Sequence, residues 1–220
     1  MSEINACLFD LDGVLVDTAR YHYIAWRELA GELGFEFTEQ DNERLKGVSR
    51  AASLNILLEI GGIELAEDEK ARLAEQKNSR YVEYIAKMDS SEILPGALDF
   101  LKECREAGIK VALGSASKNA MTILDNTGLT PWFDAIIDGT HTSAAKPDPE
   151  VFLLGAQALH TAPENCVVFE DAEAGILAAT RAGMRSVGIG SAETLGAANL
   201  VVPSLQQISV PALREALASV

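Results

Sequence analysis

Six short apolar runs are spread along the chain, each bounded by polar or small residues: Ala6-Cys7-Leu8-Phe9, Val111-Ala112-Leu113, Ala135-Ile136-Ile137, Cys166-Val167-Val168-Phe169, Ser186-Val187-Gly188-Ile189 and Leu200-Val201-Val202. Unbroken apolarity, rather than alternation, predicts strands buried on both faces, which only a parallel sheet covered by helices on either side provides. The helices are legible between the runs. Ala97 to Ala107 closed by Gly108, Val151 to Leu159, and Ala174 to Ala182 closed by Gly183 are amphipathic, and the glycines stand where a helix C-terminus favours a left-handed residue. Strand and helix alternate, so the expected fold class is α/β, a doubly wound parallel sheet core.

One stretch breaks this rhythm. Residues 17–88 hold helical patterns (Tyr21, Ile24, Ala25, Leu29, Leu33; then Leu54, Leu57, Leu58; then Leu73, Lys77, Tyr81, Tyr84) and no convincing strand. They are expected to form an inserted α-helical cap, leaving residues 1–16 and 89–220 as a discontinuous catalytic core. The polar link Asp89-Ser90-Ser91-Glu92 returns the chain to the core, and the two links are expected to act as a hinge. A chain of 220 residues is long enough for such a core with its insert.

In open α/β sheets, ligands bind beyond the carboxyl ends of the strands, so the residues after each run matter most. The first run ends in Asp10-Leu11-Asp12-Gly13, the second in Ser115-Ala116-Ser117-Lys118-Asn119 and the Cys166 run in Glu170-Asp171, while Lys146 stands just before a helix expected to be capped by Asp148 and to start at Pro149. Several carboxylates at one rim repel each other unless a cation neutralises them. Magnesium suits this donor set, with side chains from Asp10 and Asp171 and a carbonyl from Asp12. Beside it Asp10 can attack phosphorus as a nucleophile, and Asp12 can serve as general acid and base. Ser115 and the amides following it, at a helix N-terminus, would hold phosphate oxygens, and Lys146 would add a positive charge between nucleophile and phosphate.

Composition excludes some classes. A formal charge of -15 argues against nucleic acid, which requires clustered cations, though a small anion remains compatible because screening confines the field of distant carboxylates to about 8 Å. No segment approaches the length of an apolar bilayer span, so no membrane role is expected. The start Met1-Ser2-Glu3-Ile4-Asn5 shows no export signal, and Cys7, Cys104 and Cys166 form no CxxC pair, which together predict a reducing cytoplasm. Gly188-Ile189-Gly190 lacks the further glycine of a dinucleotide fingerprint, so no nicotinamide cofactor is expected.

The strand-end residues resemble the four motifs of the haloacid dehalogenase superfamily, in that family's order: Asp10-Leu11-Asp12-Gly13, then Ser115, then Lys146, then Glu170-Asp171. The resemblance implies that Asp10 is the nucleophile and that Glu170 orders the water shell of Mg2+ or shares in ligating it. The cap is similar to that of the superfamily's sugar phosphomutases through Asp17-Thr18-Ala19, Tyr21-His22, Leu45-Lys46-Gly47-Val48-Ser49-Arg50 and Lys77-Asn78, together with Ser115 to Asn119 from the core. That likeness implies a small phosphorylated sugar as partner, its distal phosphate and hydroxyls held by Arg50, Ala116, Ser117, Lys118 and Asn119. Lys77 would lie nearby, and Gly47, Val48 and Ser49 would line the cleft. Thr18 would stand in the first link, His22 would couple closure to Asp12, and Lys46 and Gly47 would aid cap movement. The implied reaction converts β-D-glucose 1-phosphate to glucose 6-phosphate, with glucose 1,6-bisphosphate as activating intermediate, in a monomer. A sugar-phosphate phosphatase is the alternative. A phosphoaspartate signalling receiver is disfavoured, because its acceptor follows a later strand and it carries no helical cap. Ala172 departs from the serine common at that place in relatives.

Overall fold

The computed structural model of the chain describes residues 3–45 and 48–218. In chain order the elements are β1 (Ala6–Phe9), α1 (Ala19–Glu32), α2 (Glu39–Glu43), α3 (Arg50–Gly61), α4 (Glu67–Ile85), α5 (Ala97–Glu106), β2 (Lys110–Gly114), α6 (Ala120–Thr127), β3 (Ala135–Ile137), α7 (Glu150–Ala158), β4 (Cys166–Glu170), α8 (Glu173–Arg181), β5 (Arg185–Ile189), α9 (Ala192–Leu195), β6 (Leu200–Val202) and α10 (Val210–Ala216). Each of the apolar runs becomes a strand. They pair in parallel in the order β3-β2-β1-β4-β5-β6, in register from Ala6 opposite Lys110 on one side and Cys166 on the other.

Side chains alternate between two apolar layers because successive strand residues point to opposite faces. Cys7 and Phe9, Val167 and Phe169, and Val111 and Leu113 pack with Phe100 and Leu101 of α5, Ile123 and Leu124 of α6 and Leu213 of α10. Ala6, Leu8, Ala112, Cys166 and Val168 face the other way, toward Val151, Phe152 and Ala156 of α7 and Ala178 and Ala179 of α8. With both faces covered, the strands have no solvent side on which polar residues would be expected. Phe9 stacks on Phe169 at 4.7 Å, and Phe100 meets Phe169 edge-on at 5.2 Å, which fixes the ends of the two central strands.

The chain leaves β1 for one side of the sheet and reaches β4 on the other, so the carboxyl end of β1 is the point where strand order reverses. Asp10 stands there. Helices α1 to α4 have an apolar core of their own, built from Trp26, Leu29, Phe37, Leu54, Leu57, Leu58 and Leu73. Their foot does not stand free: Tyr81, Ile85 and Met88 belong to the same apolar layer as Phe9 and Phe100. The two links run side by side. Asp17 N–H donates to Glu92 O at 3.0 Å, Leu94 N–H to Leu15 O at 2.9 Å, and Tyr21 O–H to the Glu92 carboxylate at 2.8 Å, with Arg20 on the same oxygen.

The structure moves two expected helix starts and adds a helix. Asp148 accepts from Glu150 N–H at 2.9 Å, but α7 begins at Glu150 and Pro149 is its flanking residue, one position later than the sequence pattern places it. Helix α6 begins at Ala120 rather than directly after Ser115, because Ser115 Oγ and Ser117 Oγ accept from the amides of Ser117 and Asn119 at 3.1 and 3.2 Å and hold those residues in turns. The expected cradle of amides at a helix N-terminus is therefore a side-chain-braced loop. Helix α2 carries no apolar periodicity over its five residues; it is set by a capping box in which Thr38 and Asp41 bond each other's backbone.

Candidate active site

Asp10 follows β1, Ser115 follows β2 and Glu170 ends β4, so three adjacent parallel strands deliver their last side chains to one rim. Lys146, on the loop between β3 and α7 and joined to Pro147 by a cis peptide, enters from the side. Its ammonium donates to Asp10 Oδ1 and Glu170 Oε1, both at 2.6 Å, with Lys146 and Glu170 side chains each 1% exposed. Burial works against the Lys146 charge, but the Asp10 and Glu170 carboxylates outweigh it and hold its pKa above the usual lysine value. Glu170 is raised, first by burial and then by Asp10, against the pull of Lys146. Its second oxygen accepts from Ala172 N–H at 2.9 Å, so alanine at 172 supplies this contact from its backbone.

Two glycines make room for the carboxylates. Gly13 has φ +77, and a Cβ there would stand 2.2 Å from an Asp171 oxygen; a Cβ at Gly175 would stand 1.9 Å from Glu170 Oε1. Carboxylate oxygens of Asp10, Glu170 and Asp171 lie within 4.8 Å of one another. An all-oxygen set of this size fits a hard divalent cation such as magnesium. The Asp12 side chain stays out of this cluster: its Oδ1 accepts the Thr18 hydroxyl. Its pKa is raised to about 7, chiefly by burial and then by the Asp10 charge, with Lys146 and Lys77 opposing. Near neutrality it can therefore give or take a proton. Thr18 occupies the flanking position of α1 but makes no cap bond, its hydroxyl being committed to Asp12.

A cavity of about 480 Å³ runs from this rim into the helical layer. At its far side Lys77, 3% exposed, donates to His22 Nδ1 at 2.8 Å and lies 4.6 and 4.8 Å from the ring centres of Trp26 and Tyr81. His22 stacks on Tyr81 with centroids 4.0 Å apart. Burial, then Lys77 and Arg50, push the His22 pKa well below its ordinary value, so the ring is neutral and accepts from Lys77. Burial and then Arg50 lower the Lys77 pKa to about 7, with Asp12 opposing. Arg50 opens α3, whose cap is Ser49, accepting from Ala52 N–H at 3.3 Å. Its guanidinium holds Glu75 at 3.2 Å. Asn119 reaches across to Asn78, Nδ2 to Oδ1 at 3.1 Å.

The cavity thus gathers Asp10, Asp12, His22, Val48, Ser49, Arg50, Lys77, Ser115, Ala116, Ser117, Lys118, Asn119, Lys146 and Asp171. Glu170 lies behind Lys146, and Thr18 behind Asp12. Lys46 and Gly47 lie outside the described residues. Asn78, of the Lys77-Asn78 stretch, lines the cavity too, and Trp26, Asn42, Tyr81 and Gly139 do so beyond the residues singled out from the motifs. Trp26 and Tyr81 follow His22 and Lys77 by four residues, the spacing that places side chains on one helix face, and that spacing was the available signal.

Residues 4–183 match the haloacid dehalogenase-like hydrolase family. The chain is 40% identical over 214 residues to the β-phosphoglucomutase of Bacillus subtilis, covering 96% of this chain and 95% of that protein. It is 35% identical over 183 residues to a fructose-1-phosphate phosphatase of Escherichia coli, covering 83% and 94%. The crystal structure of a β-phosphoglucomutase from Clostridium difficile superposes with a TM-score of 0.93 at 45% identity, covering 98% of each chain. Strand order, motif placement and full-length likeness agree: the chain belongs to the haloacid dehalogenase-like hydrolase family.

Proposed function

We propose that the protein is a β-phosphoglucomutase, converting β-D-glucose 1-phosphate to glucose 6-phosphate through an aspartyl phosphate at Asp10 and a glucose 1,6-bisphosphate intermediate. The observation that carries this reading is the two-ended cavity. One end holds Asp10, Asp12 and Lys146; the other holds Arg50, Lys77 and Asn119, so one sugar bearing two phosphates can present one to each. The full-length likeness to proteins named β-phosphoglucomutase supports the same substrate.

In this mechanism the sugar phosphate's free hydroxyl attacks the phosphorus of the phosphoenzyme: a new P–O bond forms to the sugar and the Asp10–phosphate bond breaks, releasing the Asp10 carboxylate. Asp12 takes the hydroxyl proton in that step. The bisphosphate then turns end for end, Asp10 attacks its other phosphate, and Asp12 returns a proton to the departing sugar oxygen. Lys146 steadies Asp10 through its 2.6 Å bond, with Glu170 anchoring the ammonium from behind. Ser115 and the Ser117 loop face the transferring group. Arg50 exchanges Glu75 for the distal phosphate, a guanidinium fork being well matched to it. Asp10, Glu170 and Asp171 would hold magnesium, which when bound supplies neutralising charge at the phosphoryl oxygens.

Residues 17–88 act as a cap hinged at the paired links, closing so that water is excluded while the phosphoenzyme waits for a sugar hydroxyl. The protein works as a monomer, since one chain supplies both ends of the cavity, and in the cytoplasm, where the buried thiols Cys7, Cys104 and Cys166 stay reduced. The test is a magnesium-containing assay primed with a trace of the bisphosphate. Glucose 6-phosphate is the expected product; steady release of inorganic phosphate without it would establish a phosphatase instead. Asp12→Ala is expected to suppress turnover far more than the first phosphorylation of Asp10.

A further inference from the structure

Asn42 borders the cavity from α2 and is 9% exposed. Its backbone is fully engaged: the N–H donates to Thr38 O at 3.1 Å, and the C=O accepts from Leu45 N–H at 3.0 Å. Its side chain is different. Among the described residues the Asn42 carboxamide has no hydrogen-bond partner, whereas Ser49, Arg50 and Asn78, which border the same cavity from the cap, each have one, in the Ala52 amide, Glu75 and Asn119. An amide taken out of water without a partner is costly, and native proteins rarely keep one unless something else satisfies it. The open side of Asn42 is the cavity itself.

Each end of the cavity carries cations suited to a phosphate, Lys146 at one and Arg50 with Lys77 at the other. Between two phosphates a sugar offers only neutral hydroxyls, each able to give and to accept a hydrogen bond. A carboxamide matches that chemistry with two donor hydrogens and an acceptor oxygen, and it adds no charge. We propose that Asn42 is a specificity-determining residue that pairs with a ring hydroxyl of the bound sugar. A sugar that lacks this hydroxyl, or holds it on the other face of the ring, leaves the carboxamide unpaired once the ligand has displaced its water, and is rejected for that reason. The double capacity matters because the bisphosphate turns end for end: the hydroxyl presented to Asn42 changes with orientation, and an amide can give to one and accept from the next. The inference deepens the mutase reading and rests on a phosphorylated sugar filling the cavity.

Asn42→Leu keeps the branched shape and removes both hydrogen-bonding capacities. Its kcat/KM for β-D-glucose 1-phosphate is expected to fall about thirtyfold. Among the 2-deoxy, 3-deoxy and 4-deoxy analogues of that substrate, the one lacking the contacted hydroxyl is expected to be about thirtyfold poorer already in the parent, and to change by less than about threefold in the variant. The other analogues lose as much as the full substrate does. A merely structural asparagine would depress every substrate alike. Because the free protein gives up no hydrogen bond, the melting temperature of Asn42→Leu is expected to be unchanged or raised. Calorimetric binding of glucose 6-phosphate and its deoxy analogues reads the contact without turnover, and there too one analogue should bind parent and variant alike. Equal losses across the panel, a parental kcat/KM in Asn42→Leu, or a melting temperature lowered by more than about 4 °C would overturn the proposal. A parent that binds glucose 6-phosphate but makes none from β-D-glucose 1-phosphate would overturn the mutase reading alone, while the calorimetric panel would still decide the role of Asn42.

Discussion

Lys146→Met removes one charge from a buried triad and keeps most of the side-chain volume. In the parent, Lys146 bridges Asp10 and Glu170 at 2.6 Å each, and the side chains are 1%, 11% and 1% exposed. Deleting one partner of a buried ion pair costs about 3–5 kcal/mol because the other charge is left behind. A Coulomb estimate agrees: two carboxylate oxygens within 4.8 Å of each other repel by about 3.5 kcal/mol at an effective dielectric of 20. The folded variant relieves this by holding a proton on Glu170, already raised by burial and by Asp10 once the opposing Lys146 is gone. A carboxyl whose folded pKa exceeds its unfolded one stabilises fully below the unfolded value, and that contribution is lost as pH rises through the folded value. The stability deficit of the variant should therefore be small near pH 5 and reach about 3 kcal/mol or more at pH 7.5. Urea unfolding at both pH values, followed by tryptophan fluorescence, measures it, and added magnesium should recover part of the loss at pH 7.5. A deficit under about 1 kcal/mol, equal at both pH values, would refute the reasoning.

Other perturbations test neighbouring parts of the site. Gly175→Ala would drive a Cβ into the Glu170 carboxylate, and should weaken magnesium binding, read by calorimetry, with a stability loss of about 1–3 kcal/mol. Lys77 has a folded pKa of about 7, below its unfolded value, so its contribution to stability is present above about pH 10 and lost as pH falls toward 7. Lys77→Met should remove up to about 4 kcal/mol of the rise in stability between those pH values, visible as a difference between two denaturation series. Phe169→Ala, which empties the stack between Phe9 and Phe100, should cost about 3–5 kcal/mol in denaturant unfolding. Glu75→Gln frees Arg50 from an exposed ion pair and should lower KM for the sugar phosphate by less than about fivefold, with kcat unchanged.

The sheet was legible because strands buried on both faces need uninterrupted apolar residues, and a run such as Cys166 to Phe169 has few other uses. The rim was legible for a related reason: in a parallel sheet the carboxyl ends of all strands lie along one edge, so Asp10, Ser115 and Glu170, at the ends of β1, β2 and β4, could be gathered without coordinates. Helix boundaries were less so. The starts of α6 and α7 depend on local side-chain bonds at Ser115, Ser117 and Asp148, which compete with the helix by small energies.

What the sequence determined by itself was the alternation of strands and helices and the set of candidate reacting groups, since both follow from periodicity and from residue types at strand ends. Only the tertiary structure decided how those groups are paired. Lys146 lies 136 positions from Asp10, His22 lies 55 from Lys77, and Arg50 lies 25 from Glu75, so nothing in the local chain specifies these partners. Their pKa values are set likewise by burial and by charges brought close through space. The same holds for Tyr81: in the sequence it is one apolar position of a helix, and only the tertiary packing stacks its ring on His22 and sets the Lys77 ammonium against its face.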